Sequence, residues 1–280
     1  MTYAGRHRHG VDDPSPTMTD LILRAVNRLF RREAGGDGRP AFFDIDATYP
    51  ELRLLDRHQA VIREEMEALL ADTARIPKYH EVSEKETYIS GTVDPDRAWR
   101  VFMLKWVASG GLEQNRRRCP RTAELVDRIP GVLQAFFSIL EPGKSIPAHD
   151  GPYLGYLRYH LALRVPAQHP PKIRIKDTWY TWKSGESVMF DDSWNHEVVN
   201  PSTEFRVVLI VDVMRPMGWL AHATNHLLTR VIGPRTEEAR QAVANMEALR
   251  RGVGGRGGPT DARPGRSARP SHAHAASTRT

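Results

Sequence analysis

Two histidines lie forty-seven residues apart in unlike surroundings: His149 in Pro147-Ala-His-Asp-Gly-Pro-Tyr153, and His196 in Asp191-Asp-Ser-Trp-Asn-His-Glu197. Ten residues after the second, Arg206 opens the apolar run Val207-Val-Leu-Ile-Val-Asp-Val213. An early imidazole, a late imidazole and a guanidinium at the head of a strand are the parts of a non-haem iron site. Imidazoles hold Fe(II), and a guanidinium fork grips the distal carboxylate of 2-oxoglutarate. Taken alone, either histidine reads more readily as a structural or exposed residue than as a ligand. Their settings set them apart: a Pro/Gly-rich turn entering a run of strands, and an acidic-aromatic turn.

The elements that must position them are short. From Gly131 to Val213, apolar runs are cut by Pro, Gly and Asp every eight to twelve residues, the pattern of an all-β sandwich or barrel. Leu157 to Val165 alternates with period two. This sends Leu157, Tyr159, Leu161 and Leu163 to one face and Arg158, His160, Ala162 and Arg164 to the other. The polar face meets solvent in an ordinary sandwich. In a small jelly roll with an active interior, Arg158 and His160 point at a bound acid instead. Helical spacing predicts helices over 19–32, 57–74, 121–128, 219–231 and 236–250, and Trp99 to Val107 alternates as a strand. Trp179, Tyr180 and Trp182 read as packing for a strand pair, and Arg116 to Arg118 as a solvated loop or a basic rim for an acidic substrate.

Bulk properties narrow the classes. The formal charge is +6, but 1–40 and 252–280 carry net +2 and +4, so 41–251 is close to neutral and nucleic acid is not an expected partner. Cys119 is the sole cysteine, so an internal disulfide is excluded and a reducing, cytoplasmic setting is expected. The 1–17 segment reads as an unstructured leader ahead of Met18, and 35–40 as a linker. Residues 252–280 read as a disordered basic tail whose His272 and His274 lack fixed geometry. The amphipathic 19–32 helix, with four arginines, either docks on its own domain or lies on an anionic membrane surface.

Several strings together resemble the aspartyl/asparaginyl β-hydroxylases, Fe(II)- and 2-oxoglutarate-dependent dioxygenases. They are His149-Asp-Gly-Pro152, Leu157-Arg-Tyr-His-Leu161, Asp191-Asp-Ser-Trp-Asn-His-Glu197 and Arg206 through Pro216. The resemblance spans about 41–216 and implies a mainly β, double-stranded β-helix (jelly-roll, cupin-like) core with flanking α-helices, the C-terminal ones over 217–251. Phe102-Met-Leu-Lys-Trp106, Cys119-Pro-Arg-Thr122 and Tyr180-Thr-Trp-Lys-Ser-Gly-Glu186 look like the bacterial branch that includes lipid A acyl-chain hydroxylases. Carried over by position, it implies that His149 and His196 are the iron ligands. Arg206, helped by Ser138, would pair with the distal carboxylate of 2-oxoglutarate, and Arg158 and His160 would contact the carboxylate near the iron. The implied reaction consumes O2 and 2-oxoglutarate, releases succinate and CO2, and hydroxylates an unactivated C–H.

One position departs from the commonest pattern. Many such oxygenases place a carboxylate two residues after the first histidine; here that residue is Gly151. Three readings stay open: a two-histidine iron with water in the third position, a halogenase with chloride there, or Asp150 reaching the metal through a turn. Zinc is a poorer fit, because two protein ligands are fewer than it usually takes. The expected substrate is the β-carbon of an Asp or Asn side chain, peptidyl, carrier-bound or free. The alternatives are an acyl chain at a membrane surface, and a non-catalytic jelly-roll binding module that has lost productive iron.

Overall fold

The computed structural model describes residues 18–92, 94–107 and 112–254. The leader 1–17, with the question of whether Met18 is the start, and the tail histidines lie outside those residues. Among the described residues ten strands form two antiparallel sheets: β1 Phe42–Phe43, β2 Trp99–Lys105, β3 Val132–Leu140, β4 Ile146–His149, β5 Tyr156–Arg164, β6 Lys172–Ile175, β7 Thr178–Thr181, β8 Ser187–Phe190, β9 His196–Val199 and β10 Arg206–Met214. The larger sheet runs β1-β8-β5-β10-β3-β2 and the smaller β4-β9-β6-β7. From β3 onward the chain crosses between the sheets so that β8-β5-β10-β3 faces β4-β9-β6-β7. That wiring is a double-stranded β-helix, with β1 and β2 extending one sheet at its edges.

The period-two patterns decide what each face carries. Leu157, Tyr159, Leu161 and Leu163 of β5 join Val207, Leu209, Val211 and Val213 of β10 on the outer face of the large sheet. Seven described helices, α1 Met18–Glu33, α2 Ile45–Thr48, α3 Arg53–Arg57, α4 Gln59–Leu70, α5 Tyr79–Val82, α6 Glu113–Arg118 and α7 Pro120–Asp127, precede β3, and of these α3, α4 and α7 cover that face with Leu55, Ile62, Met66 and Val126. Each such side chain contributes roughly 1.5–3 kcal/mol on burial, more than the helix propensity of these short segments. The inner faces hold a second cluster that includes Phe136, Ala162, Ile173, Trp182, Phe190, Val198, Val208 and Ile210. β10 is buried along its whole length between β3 and β5.

Some expectations shift. The helix expected over 57–74 is α4 Gln59–Leu70 with a 3-10 turn Thr73–Arg75 after it. The short α3 Arg53–Arg57, not expected, ends at His58, whose ring Nδ1 bonds the Leu54 carbonyl at 2.8 Å and whose backbone leaves helical geometry. The helix expected over 219–231 is α8 Trp219–Leu227 continued by a π-helical turn Leu228–Ile232, and α9 Glu237–Gly254 follows. Arg116 to Arg118 belong to helix α6 rather than a loop, where Arg116 pairs with Asp127 and Arg117 with Glu113. None of the three lines the main cavity.

Candidate active site

β4 ends and β9 begins side by side, with His149 directly opposite His196 in the register. The ring centroids are 4.1 Å apart. Each Nδ1 is bonded to a backbone carbonyl two residues earlier, His149 to Pro147 and His196 to Trp194, both at 2.8 Å. Those bonds fix the tautomer: Nδ1 carries the proton and Nε2 keeps its lone pair. Burial, helped by the neighbouring imidazole, pulls His149 down to about 4, so this ring is neutral and ligand-ready at physiological pH. Two adjacent imidazoles, each with Nδ1 tied to a backbone carbonyl and Nε2 left to coordinate, fit a divalent transition metal.

Asp191 and Asp192 divide two tasks. Asp191 caps the turn through Ser193 N and Oγ, and pairs with the buried Arg39 at 2.8 Å and Arg215 at 2.7 Å. Asp192 turns inward, its Oδ1 3.4 Å from His196 Nε2. Burial raises its pKa, but Arg158, His196 and the Tyr156 hydroxyl outweigh that and hold it ionised. Asp192 therefore sits on the Nε2 side of the imidazole and does not orient its Nδ1.

Gly151 follows from this arrangement. Its amide donates to the Asp192 carbonyl at 3.1 Å, and a Cβ there would collide with that carbonyl oxygen and lie 2.6 Å from Asp192 Oδ2. No side chain fits at 151, so an aspartate cannot be installed there without moving the His196 turn. Asp150 is exposed, and its carboxylate accepts from Asn195 Nδ2 at 3.0 Å. It does not fill the third position.

Two arginines on the inner face of the large sheet contrast. Arg158 donates to Asp212 through Nε and Nη2, each at 2.8 Å, and to Asp192 through Nη1 at 2.6 Å. Its guanidinium is already held by two carboxylates, which raise its pKa against the effect of burial. The expected contact with a cosubstrate carboxylate competes with both. Arg206, 1% exposed, faces no carboxylate among the described residues. It has a 3.3 Å hydrogen bond to Ser138 Oγ and lies 4.5 Å over the Trp182 ring; burial pulls it down to about 9. Trp99 Nε1 donates to the same Ser138 oxygen at 2.9 Å. Next along the face is His160, stacked near Trp182 and edge-on to Phe190, both ring nitrogens buried without a partner. The register orders this face: Arg206, then Ser138 beside Val208, His160 beside Ile210, and Arg158 beside Asp212.

A cavity of about 500 Å³ opens beside the imidazole pair. Its inner end is His149, Gly151, Arg158, Asp192 and Asp212, and its walls are mostly aromatic or aliphatic, with Tyr79, Ile89, Trp99, Trp106 and Leu133. Arg206, Ser138 and His160 do not line it and lie deeper. Glu86 also lines it; desolvation raises this carboxyl to about 7 against the pull of Arg158. The structure thus brings Arg206, Ser138 and His160 together, and His149, His196 and Arg158 together, the two groups sharing one interior. Asp212 and Glu86 escaped the sequence argument, which read Trp182 as strand packing and not as the ring beneath Arg206. Asp212 had left a signal, since an acid inside the apolar run 207–213 requires a buried cation.

The profile of the aspartyl/asparaginyl beta-hydroxylase family matches residues 56–216, and the chain belongs to that family. It is 37% identical over 192 residues to the ornithine lipid ester-linked acyl 2-hydroxylase of Rhizobium tropici, covering 68% of this chain and 66% of that protein. It is 31% identical over 191 residues to the human aspartyl/asparaginyl beta-hydroxylase, covering 65% of this chain and 23% of the human protein. A Xenopus tropicalis protein, aspartate beta-hydroxylase domain-containing protein 2, is 27% identical over 205 residues, covering 69% of this chain and 51% of its own. The chain spans just under two thirds of the Rhizobium protein and about a quarter of the human one.

Proposed function

We propose that the protein is an Fe(II)- and 2-oxoglutarate-dependent dioxygenase that hydroxylates an unactivated C–H. The observation that carries this reading is the buried Arg206, which lacks a carboxylate and lies beside a His160 with two open nitrogens. A fully desolvated guanidinium without a counter-ion is unfavourable. An incoming dicarboxylate relieves it, one end held by Arg206 and Ser138, while His160 lies along the path toward the imidazole pair. His149 and His196 would hold the iron, and Asp192 stands beside the remaining positions. Iron bound there supplies oxygen activation coupled to decarboxylation of 2-oxoglutarate, so that R–H, O2 and 2-oxoglutarate give R–OH, succinate and CO2. The chain's own part is to fix both imidazole tautomers, to orient the cosubstrate, and to exclude water with the apolar walls.

For the substrate, an acyl chain is favoured over an Asp or Asn side chain. Gly151 gives the latter no support, because the Asp192 turn accounts for that glycine on steric grounds alone. The aromatic and aliphatic walls suit an alkyl chain, and the Rhizobium relative is an acyl hydroxylase by name. Halogenation loses support, because the ionised Asp192 stands 3.4 Å from His196 Nε2, close to where a halide would bind. Anaerobic addition of Fe(II) and 2-oxoglutarate should produce a visible charge-transfer band that His196→Ala abolishes. Oxygen should then yield succinate, and an acylated lipid substrate should gain one oxygen atom. Folded protein with excess iron that shows neither band nor succinate would instead be the silent binding module.

A further inference from the structure

The helices that flank the core meet at the turn carrying His149. Asn27 of α1 donates to the Pro152 carbonyl at 2.9 Å and accepts from Leu154 N at 3.1 Å. Asn225 of α8 accepts from the Tyr153 hydroxyl at 2.7 Å and donates to the Gly155 carbonyl at 2.6 Å. Phe30 of α1 is buried edge-on against Tyr153. At the other end of the pair, a methyl placed on Gly218 would sit 2.9 Å from Glu33 Oε2. The start of α8 therefore lies by the end of α1, and the two helices run antiparallel. Leu21 and Ile22 then lie toward the end of α8 that carries Leu227, Val231 and Ile232.

Those five side chains are all exposed, as are Leu220 and Trp219, the last at 82%. On α8 and the π turn, Leu220, Ala223, Leu227 and Val231 recur at spacings of three, four and four, a helical stripe pointing away from the buried Ala221 and Asn225. A stripe of this kind, ending in an exposed tryptophan, is what an interfacial helix presents to a bilayer. The charge agrees. Met18–Glu33 holds Arg24, Arg28, Arg31 and Arg32 against Asp20 and Glu33, and 219–235 holds Arg230 and Arg235 with no acid. This net +4 stands on a core that is otherwise near neutral. It attracts an anionic lipid surface and repels a second copy of itself. The same elements border the cavity, since Thr229 of the π turn and Tyr153 both line it.

We propose that α1 and the α8–π segment form one docking surface for an anionic lipid bilayer, which sets the mouth of the cavity at the membrane plane. Delivery of a lipid acyl chain into the cavity rests on the hydroxylase reading; docking itself does not.

Co-sedimentation of the full chain with vesicles tests it, using phosphatidylcholine alone and phosphatidylcholine mixed with phosphatidylglycerol. Wild type should pellet with the anionic vesicles and stay in solution with the zwitterionic ones. The exposed pair L227E/V231E and the separate pair R24E/R28E should each lower anionic partition at least about tenfold. Circular dichroism and anaerobic Fe(II) and 2-oxoglutarate binding should remain as in wild type. Three outcomes would overturn the proposal: no binding of wild type to anionic vesicles, equal binding to both vesicle types, or binding that both variant pairs retain. A concentration-dependent dimer dissolved by L227E/V231E, without vesicle binding, would overturn it in favour of a second copy. Because no turnover enters the assay, failure here leaves the oxygenase reading standing. A missing succinate signal likewise leaves the docking surface standing.

Discussion

At Arg206 the arithmetic of a buried charge gives a prediction of opposite sign for binding and for stability. Without cosubstrate, the guanidinium is desolvated and compensated only by Ser138 and the face of Trp182. Replacing an uncompensated buried charge with an apolar side chain of similar length is neutral or stabilising. Arg206→Met should therefore keep or raise the thermal midpoint of the ligand-free protein, yet weaken 2-oxoglutarate binding about ten- to a hundredfold, the worth of a charge-assisted pair. Differential scanning fluorimetry with and without 2-oxoglutarate measures both. A lower midpoint with unchanged binding would make Arg206 a structural residue. Glu86 gives a pH-dependent counterpart. Its carboxyl is raised from 4.5 to about 7 in the folded protein, chiefly by desolvation. Below the unfolded value both states are neutral. Between there and about 7 the unfolded chain ionises first, so stability falls as pH rises across that window, by at most ~3 kcal/mol. Glu86→Gln should match wild type near pH 4 and exceed it at pH 8 in urea unfolding; parallel curves would show that this carboxyl does not set the slope.

Elements place these residues, and what each element announces in sequence differs. The alternation of β5 assigned both of its faces correctly, because period two follows from strand geometry alone. The eight-strand wiring was legible from the spacing of apolar runs together with the family resemblance. The short helix Arg53–Arg57 was not, since its end at His58 is set by a single imidazole bonded back to the Leu54 carbonyl. Nor did the sequence show that Asp192 faces inward while Asp191 turns to Arg39 and Arg215. Two adjacent acids look alike until the partners, more than a hundred residues away for Arg39, are brought to them. The hold of α8 on the His149 turn is likewise a tertiary fact, and it can be tested. Asn225 is fully buried, and Asn225→Ala leaves the Tyr153 hydroxyl without its acceptor and the Gly155 carbonyl with only the Arg215 amide, a cost of about 1–2 kcal/mol. Because that turn leads back to His149, iron affinity should fall as well. Lost stability with unchanged iron affinity would mean that β4 alone fixes the imidazole.

Across the whole molecule, support for the site comes from outside the segment 56–216 that defines the family. Asn27, Arg39 and Asn225 all lie beyond it, and all act on the two turns that carry the histidines. Arg39 shows the connection most directly. Its Nε pairs with Asp191, its Nη2 donates to Ser193 Oγ at 3.1 Å, and its guanidinium lies 3.6 Å over the Trp194 ring, all in the turn before His196. Arg215, at the end of β10, closes the triad from the other side and bonds the Leu154 carbonyl at 2.7 Å in the His149 turn. One buried acid thus stands between two buried cations and links both histidine turns to the N-terminal segment. The charge balance ranks the consequences of breaking it. Arg39→Ala leaves Asp191 paired with Arg215, so the Gly36, Ser193 and Trp194 contacts go unmet, and a loss of about 1–2 kcal/mol is expected. Asp191→Asn strands two guanidiniums in the interior and should cost about 3–5 kcal/mol. Unfolding in urea should rank Asp191→Asn well below Arg39→Ala, with the double variant falling short of the sum because the residues share one network. Additive losses would show that Arg39 and Asp191 stabilise the fold independently, and that the N-terminal segment does not brace the His196 turn through this pair.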